Sequence, residues 1–298
     1  MRSGFVAVVG RPNVGKSTLV NAFVGEKVTI TSAKPNTTRH QIRGVFTDDR
    51  AQVVFVDTPG IHRPRTKLGE RLNESAFAAF EGVDLVLALV EAHSDIGPGD
   101  RLVLNHSIEA ARRFELPLYV VVNKIDRAGA NGTADQLMKV SAVVDEIGHG
   151  VLAATTDAIE YFPVSARSGK GVERLLDSII ELLEEGPAFY PEDMASDQSE
   201  TDWIAELVRE QLLSRCHDEL PHSIYCRVTE YELPRIRVEI LVERDSQKGI
   251  VIGKGGEILK EVGIAARKQL AEGIHLELYV RVEKGWQGRS EVLDRLGF

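Results

Sequence analysis

"GRPNVGKST", Gly10 to Thr18, sits between two apolar runs, "FVAVV" (Phe5–Val9) before it and "LVNAFV" (Leu19–Val24) after it. Gly10, Gly15, Lys16 and Ser17 keep the spacing G-x-x-x-x-G-K-[ST], and the flanks predict a strand ahead and a helix over Lys16–Val24. Backbone N–H groups can wrap an anion only where no side chain blocks the approach, which calls for glycine. The following helix adds the partial positive charge of its N-terminus. Asn13 to Thr18, Val14 included, then line a phosphate. Lys16 reaches the outer phosphates as a point charge, and the Ser17 hydroxyl ligates Mg²⁺. The stretch points to a nucleotide but not to which one.

Working outward, "AQVVFVD" (Ala51–Asp57), "DLVLALVEA" (Asp84–Ala92) and "PLYVVVNK" (Pro117–Lys124) are near-continuous apolar runs. Such runs read as strands buried on both faces of a parallel sheet. Helical spacing lies between them over Leu68–Phe80, Asp100–Phe114 and Thr133–Ile147. "EYFPVSA" reads as a last strand, "GVERLLDSIIELLEE" as a closing helix, and the end of "TSAKPNTTRHQIRGVFT" as an edge strand. The expectation is an α/β, doubly wound P-loop domain over residues 1–185. Residues 186–200, rich in Pro and acids, are expected as a linker. Over 201–298 the order becomes α-β-β-α-α-β, a smaller α+β module.

Three further elements narrow the nucleotide. "DTPG" ends a strand, so that Asp57 can hold a Mg²⁺ water and the Gly60 amide can meet a γ-phosphate. "NKID" (Asn123, Lys124, Asp126) ends another strand. The Asp126 carboxylate can accept from guanine N1–H and from its exocyclic amine, whereas adenine offers no such pair. In "SAR", Ser165 and Ala166 follow the last strand, and the Ala166 amide can meet guanine O6. A P-loop kinase or ATPase is the rival reading, excluded if Asp126 governs base choice.

In this order the elements resemble the translation-factor-like GTPases. By that resemblance "PNTTRH" is the first switch, with Thr38 as the Mg²⁺ threonine and Thr37 as its rival. Asp57, Thr58, Pro59, Gly60 and Ile61 form the second switch. Many Ras-like GTPases carry a water-orienting glutamine where this chain has Ile61, and an aliphatic side chain cannot do that work. "GxPNVGKS" is similar to GTPases in which the asparagine, here Asn13, ligates a potassium ion beside the phosphates.

In the second module, "GIVIGKGGEILKEV" places Gly253, Lys254, Gly255 and Gly256 between two helical segments. With the α-β-β-α-α-β order this resembles a type II KH domain, whose GxxG loop clamps the backbone of a few unpaired nucleotides. Ile252, the Gly253–Gly256 loop and Lys260 are the expected RNA contacts. Ile250, Ile258, Leu259 and Val262 are expected as core and groove floor. In "KGW", Trp286 either stacks on a base or anchors the tail. A guanine-nucleotide domain followed by this module resembles the Era-like family of bacterial GTPases. That resemblance implies GTP and GDP as ligands, hydrolysis of GTP, binding of the 3′ end of small-subunit rRNA, and assistance to small-subunit assembly. It also implies peripheral association with the inner face of the cell membrane, for which the sequence shows no amphipathic anchor. A monomer is expected.

The bulk numbers agree. The 298 residues carry a formal net charge of −9, so any RNA surface must be a local patch. Cys216 and Cys226 form no CxxC pair, and no run approaches the roughly 18 apolar residues needed to span a bilayer. A cytoplasmic location is expected.

Overall fold

In the computed structural model β1 (Arg2–Gly10), β3 (Ala51–Asp57), β4 (Leu85–Glu91) and β5 (Leu118–Asn123) are buried nearly throughout. That is what unbroken Val, Leu and Ile runs require when both sheet faces are covered. The structure describes residues 1–148, 159–216 and 220–298. These form two compact units, the first comprising Met1–Thr29, Thr38–Arg65 and Gly69–Asp197. The second comprises Ile30–Thr37, Thr66–Leu68 and Gln198–Phe298.

With β2 (Ile42–Thr47) and β6 (Ile159–Pro163), the first unit's sheet runs β2-β3-β1-β4-β5-β6. All its pairings are parallel except the antiparallel edge pair β2–β3. The register sets Asp57 beside Val8, and Asn123 beside Glu91. The motif-bearing residues thus gather at the carboxyl ends of the strands, where open α/β sheets hold their ligands. One core cluster packs Leu19, Val20 and Phe23 of α1 (Lys16–Val24), with Leu175 and Ile179 of α5 (Val172–Leu182), against Val6, Val8 and Phe55. The other face packs α2 (Lys67–Ala78), α3 (Pro98–Phe114) and α4 (Ile125–Gly148).

The structure departs furthest from the sequence reading at three places, while other helix ends shift by a few residues, as in α2, which runs Lys67–Ala78 rather than Leu68–Phe80. Helix α3 opens at Pro98 rather than Asp100, because Asp100 instead caps it, accepting from Gly97 N–H at 3.0 Å. Helix α4 opens at Ile125 rather than Thr133, with a break at Gly129 (φ 68°) that leaves "RAGANG" no apolar stripe to read. The stretch read as a linker lies mostly against the first unit. Buried Gln52 on β3 donates to Tyr190 O at 2.9 Å and accepts from the Phe189 and Tyr190 amides, while Val45 N–H donates to Ala195 O. Backbone bonds of this kind leave no hydrophobic periodicity in the sequence.

In the second unit α6 (Glu200–Arg215) begins where Ser199 Oγ accepts from Asp202 N–H at 3.1 Å. After α7 (Leu220–Ser223), β7 (Tyr225–Glu232), β8 (Arg235–Val242) and β9 (His275–Val282) form a three-stranded sheet in that order. The β7–β8 pair is antiparallel and β8–β9 parallel. Ile204, Val208 and Leu212 of α6 pack with Ile236, Val238 and Ile240 of β8. Val251 of α8 (Asp245–Ile252) and Val262 and Ala266 of α9 (Glu257–Arg267) complete that core. Trp286, just before α10 (Ser290–Leu296), is fully buried. Its Nε1 donates to Ser223 O at 3.0 Å and its ring lies near Tyr225 and Phe298, so it anchors the tail and cannot stack on a base. No helix among the described residues is long and apolar enough to cross a membrane.

Candidate nucleotide and RNA sites

Strand β1 delivers Gly10 to the loop, and α1 starts at Lys16 directly after Gly15. Gly15 lies at φ 105°, and a Cβ there would meet Asn123 Nδ2 at 2.3 Å. Only glycine fits both the angle and the space. Lys16 is buried, and its ammonium donates to Gly10 O at 3.1 Å and Arg11 O at 3.0 Å. Burial pulls its pKa down to about 8, against the opposing pull of the Asp57 carboxylate.

Asp57, fully buried at the end of β3, gathers three hydroxyls on one oxygen. Its Oδ2 accepts from Ser17 Oγ at 2.7 Å, Thr29 Oγ1 at 3.1 Å and Thr38 Oγ1 at 3.3 Å, and Ser17 and Thr38 lie 2.9 Å apart. The other oxygen, Oδ1, is buried and has no hydrogen-bond partner among the described residues. Burial pushes the Asp57 pKa up, and Lys16 and the hydroxyls oppose it. A carboxylate with an orphaned oxygen beside two hydroxyls, one from the first turn of α1 and one from the loop before β2, is a set of hard oxygen donors, which suits a small divalent cation such as Mg²⁺. The two candidate threonines are placed differently. Thr37 Oγ1 turns to Lys34 O at 2.7 Å, whereas Thr38 is buried in the Asp57 cluster.

The loop Asn123–Asp126 is tied to the Gly10–Thr18 loop through Asn123. Its Nδ2 donates to Val14 O at 2.9 Å, and its Oδ1 accepts from the Lys124 and Ala166 amides at 2.8 and 3.0 Å. Asn123 thus holds three loops together, one of them through the Ala166 amide that the sequence reading directs to guanine O6. Lys124 Nζ donates to Asn13 O at 2.6 Å. Asp126 is exposed in the first turn of α4, where Ser165 Oγ donates to its Oδ1 at 2.7 Å. That hydrogen bond, aided by Arg127 and Arg167, holds the carboxyl below its usual range. It therefore stays an acceptor at neutral pH.

Elsewhere the segment Asp57–Ile61 is built inward. Ile61 is fully buried, with its amide donating to Gly10 O at 3.1 Å, and Thr58 Oγ1 donates to Val8 O at 2.8 Å. In the second unit the Gly253–Gly256 turn links α8 to α9, with φ of 74°, 63° and 82° at Gly253, Gly255 and Gly256. Lys254, Gly255 and Lys260 are exposed there, and Ile250 is 54% exposed. Ile252, Ile258 and Leu259 are half-buried, whereas Val262 is wholly core.

Residues 5–124 match the family described as "50S ribosome-binding GTPase", and residues 219–287 match the KH domain family. The GTPase Era of Mycobacterium tuberculosis (strain H37Rv) is 45% identical, with 99% of this chain and 98% of the relative aligned. The GTPase Era of Mycobacterium sp. (strain KMS) is 46% identical over 100% and 99% of the two chains. The chain belongs to the Era family of GTPases. Among solved structures, an Era in complex with MgGDPNP and nucleotides 1506–1542 of 16S ribosomal RNA superposes with a TM-score of 0.87. It is 35% identical and covers 100% of this chain and 99% of its own. A variant of Aquifex aeolicus Era bound to GDP·AlF4⁻ gives 0.86 at 35% identity, with the same coverage.

Within this Era-family fold the residues singled out by sequence fall into two groups. Gly10–Thr18, Thr38, Asp57–Ile61, Asn123–Asp126 and Ser165–Ala166 all belong to the first unit, at one end of its sheet. Ile252 ends α8, Gly253–Gly256 form the turn after it, and Lys260 lies on α9, all in the second unit. Sequence reasoning missed Thr29, a third hydroxyl on Asp57, because nothing in "KVTITS" marks it.

Proposed function

We propose that this GTPase couples its nucleotide state to the binding of the single-stranded 3′ end of small-subunit rRNA, and so assists small-subunit assembly in the cytoplasm. The observation that carries the reading is the joining, on one chain, of the hydroxyl–carboxylate cluster at Asp57 to a KH unit with an exposed Gly-Lys-Gly-Gly turn. The Gly10–Thr18 amides and Lys16 hold the phosphates, and Asp126, steadied by Ser165, accepts from the guanine edge. Ser17, Thr38 and Asp57 would hold Mg²⁺, which supplies positive charge to the terminal phosphates. Thr38 and Gly60 then report whether a γ-phosphate is present.

With Ile61 buried, the second switch has no side chain there to order the attacking water. Potassium held by Asn13 would supply charge beside the phosphates instead. Equal hydrolysis rates in potassium and sodium, for wild type and Asn13→Ala alike, would remove that part of the reading. In the second unit Lys254 and Lys260 bind phosphates of unpaired nucleotides, and the half-buried Ile252 lines the path of the bases.

The test is anisotropy of a labelled oligoribonucleotide carrying the fragment present in the Era complex, titrated with protein in GTP-analogue and GDP states. The expected result is tighter binding with the triphosphate and loss of binding in the Lys254→Asp, Gly255→Asp variant. By linkage, RNA must then tighten triphosphate binding by the same factor. Identical RNA affinity in every nucleotide state would overturn the coupling.

A further inference from the structure

Glu91 ends β4 in register with Asn123, yet it belongs to none of the sequence motifs that bind guanine nucleotides. Its carboxylate forms an ion pair with Lys124 Nζ through Oε1 and accepts from Ser94 Oγ at 2.7 Å through Oε2. Its backbone is clamped as well, since Gln136 Nε2 donates to Glu91 O at 2.9 Å and to Ser94 O at 2.8 Å. The next amide, Ala92 N–H, donates to Asn123 O at 2.7 Å. Glu91 is therefore a fixed post, held from β5 and from α4.

The Lys124 ammonium reaches from that post to Asn13 O in the phosphate loop. Both Lys124 (φ 67°) and Asn13 (φ 65°) are non-glycine residues in the left-handed region. Such conformations persist only where surrounding contacts over-determine them. Among the contacts that hold them are the chain Glu91–Lys124–Asn13 and the Asn123 bonds beside it.

We infer that Glu91 is a positioning residue for nucleotide binding, acting through Lys124 to hold the phosphate loop and the base-reading loop in one geometry. Without the carboxylate, the half-buried ammonium has carbonyl oxygen and water as partners, and its direction is no longer set. Asn13 O then loses a pinned donor, and a loop that must present several amides to phosphate at once becomes mobile. This inference rests on the assignment of residues 10–18 and 123–126 to the nucleotide.

The test is GDP dissociation from the full-length protein, followed by stopped-flow with a fluorescent analogue, for Glu91→Gln, Lys124→Met and the double variant. Glu91→Gln is expected to speed dissociation about tenfold, the scale of one charge-assisted hydrogen bond. Turnover of Glu91→Gln at saturating GTP should stay within about threefold, since the Glu91 carboxylate contacts no reacting atom. In the Lys124→Met background, Glu91→Gln should add almost nothing, and Glu91→Asp, which keeps the charge on a shorter stem, should lie between wild type and Glu91→Gln. Unchanged dissociation in Glu91→Gln overturns the inference, as does an effect of equal size with or without Lys124. Thermal melts of the nucleotide-free variants separate general instability, which would lower Tm without that dependence on Lys124. Failure of the wild type to bind GDP would instead strike the nucleotide assignment itself.

Discussion

Two glycines in the first unit give a matched pair of perturbations. Gly15 (φ 105°) and Gly25 (φ 85°) flank α1, and both hold angles that cost an L-residue roughly 1–2 kcal/mol. A Cβ at Gly25 meets nothing within 4 Å, whereas one at Gly15 lies 2.3 Å from Asn123 Nδ2. Gly25→Ala should therefore lose stability by that strain alone, with GDP affinity unchanged. Gly15→Ala must also displace the Asn123 amide and break its 2.9 Å bond to Val14 O. A buried donor left unpaired costs about 1–3 kcal/mol, which in affinity is roughly 5- to 150-fold. Because Asn123 joins the Gly10–Thr18 loop to the loop proposed to read the base, that penalty should fall on nucleotide binding. The assay is the Kd for a fluorescent GDP analogue beside urea denaturation, with Asn123→Ala as a third background. If Gly15→Ala binds GDP as tightly as Gly25→Ala, or if its excess penalty is undiminished once Asn123 is already alanine, the coupling through Asn123 is wrong.

Trp286→Ala removes a fully buried ring and its bond to Ser223 O, so denaturation of the full chain should show a loss of about 3–5 kcal/mol, confined to the second unit's transition. Loss of RNA affinity at unchanged stability would instead restore a stacking role. Asp126→Asn offers an amide donor where guanine also donates, so GTP affinity measured by competition should fall roughly 10²–10⁴-fold, the worth of two charge-assisted hydrogen bonds. Xanthosine triphosphate, which carries an acceptor at the altered position, should bind the variant better than GTP does. Lys16, at about 8 in the nucleotide-free protein, must be protonated to meet phosphate. GDP affinity should be flat below pH 8 and fall as pH rises through it, approaching about tenfold per unit, with proton uptake visible calorimetrically in buffers of different ionisation enthalpy. The same depressed value makes the nucleotide-free fold gain stability between pH 8 and the ordinary lysine value of 10.5, because only the unfolded chain holds that proton there.

What could be read without coordinates was whatever is local in the chain. The Gly10–Thr18 spacing, the doubly apolar strands and the GKGG turn each specify their own backbone, since sterics, helix dipoles and apolar burial act over a few residues. They yielded the P-loop fold, the motif residues and the KH module, and α1 matches its expected span to the residue. Contacts between distant segments left no local trace. The strap over 189–195 is held by hydrogen bonds to Gln52 and β2, and the α4 start by a break at Gly129, neither of which creates periodicity. Thr29 and Glu91 came into view only when strand register and helix packing carried them to Asp57 and Lys124, and only the structure shows the Thr37 hydroxyl turned to Lys34 while Thr38 joins the Asp57 cluster. By itself the sequence determined which chemistry the chain can perform. Only the tertiary structure decided which side chains support it, because their partners lie tens of residues away and the pairing energy exists only once the sheet has formed.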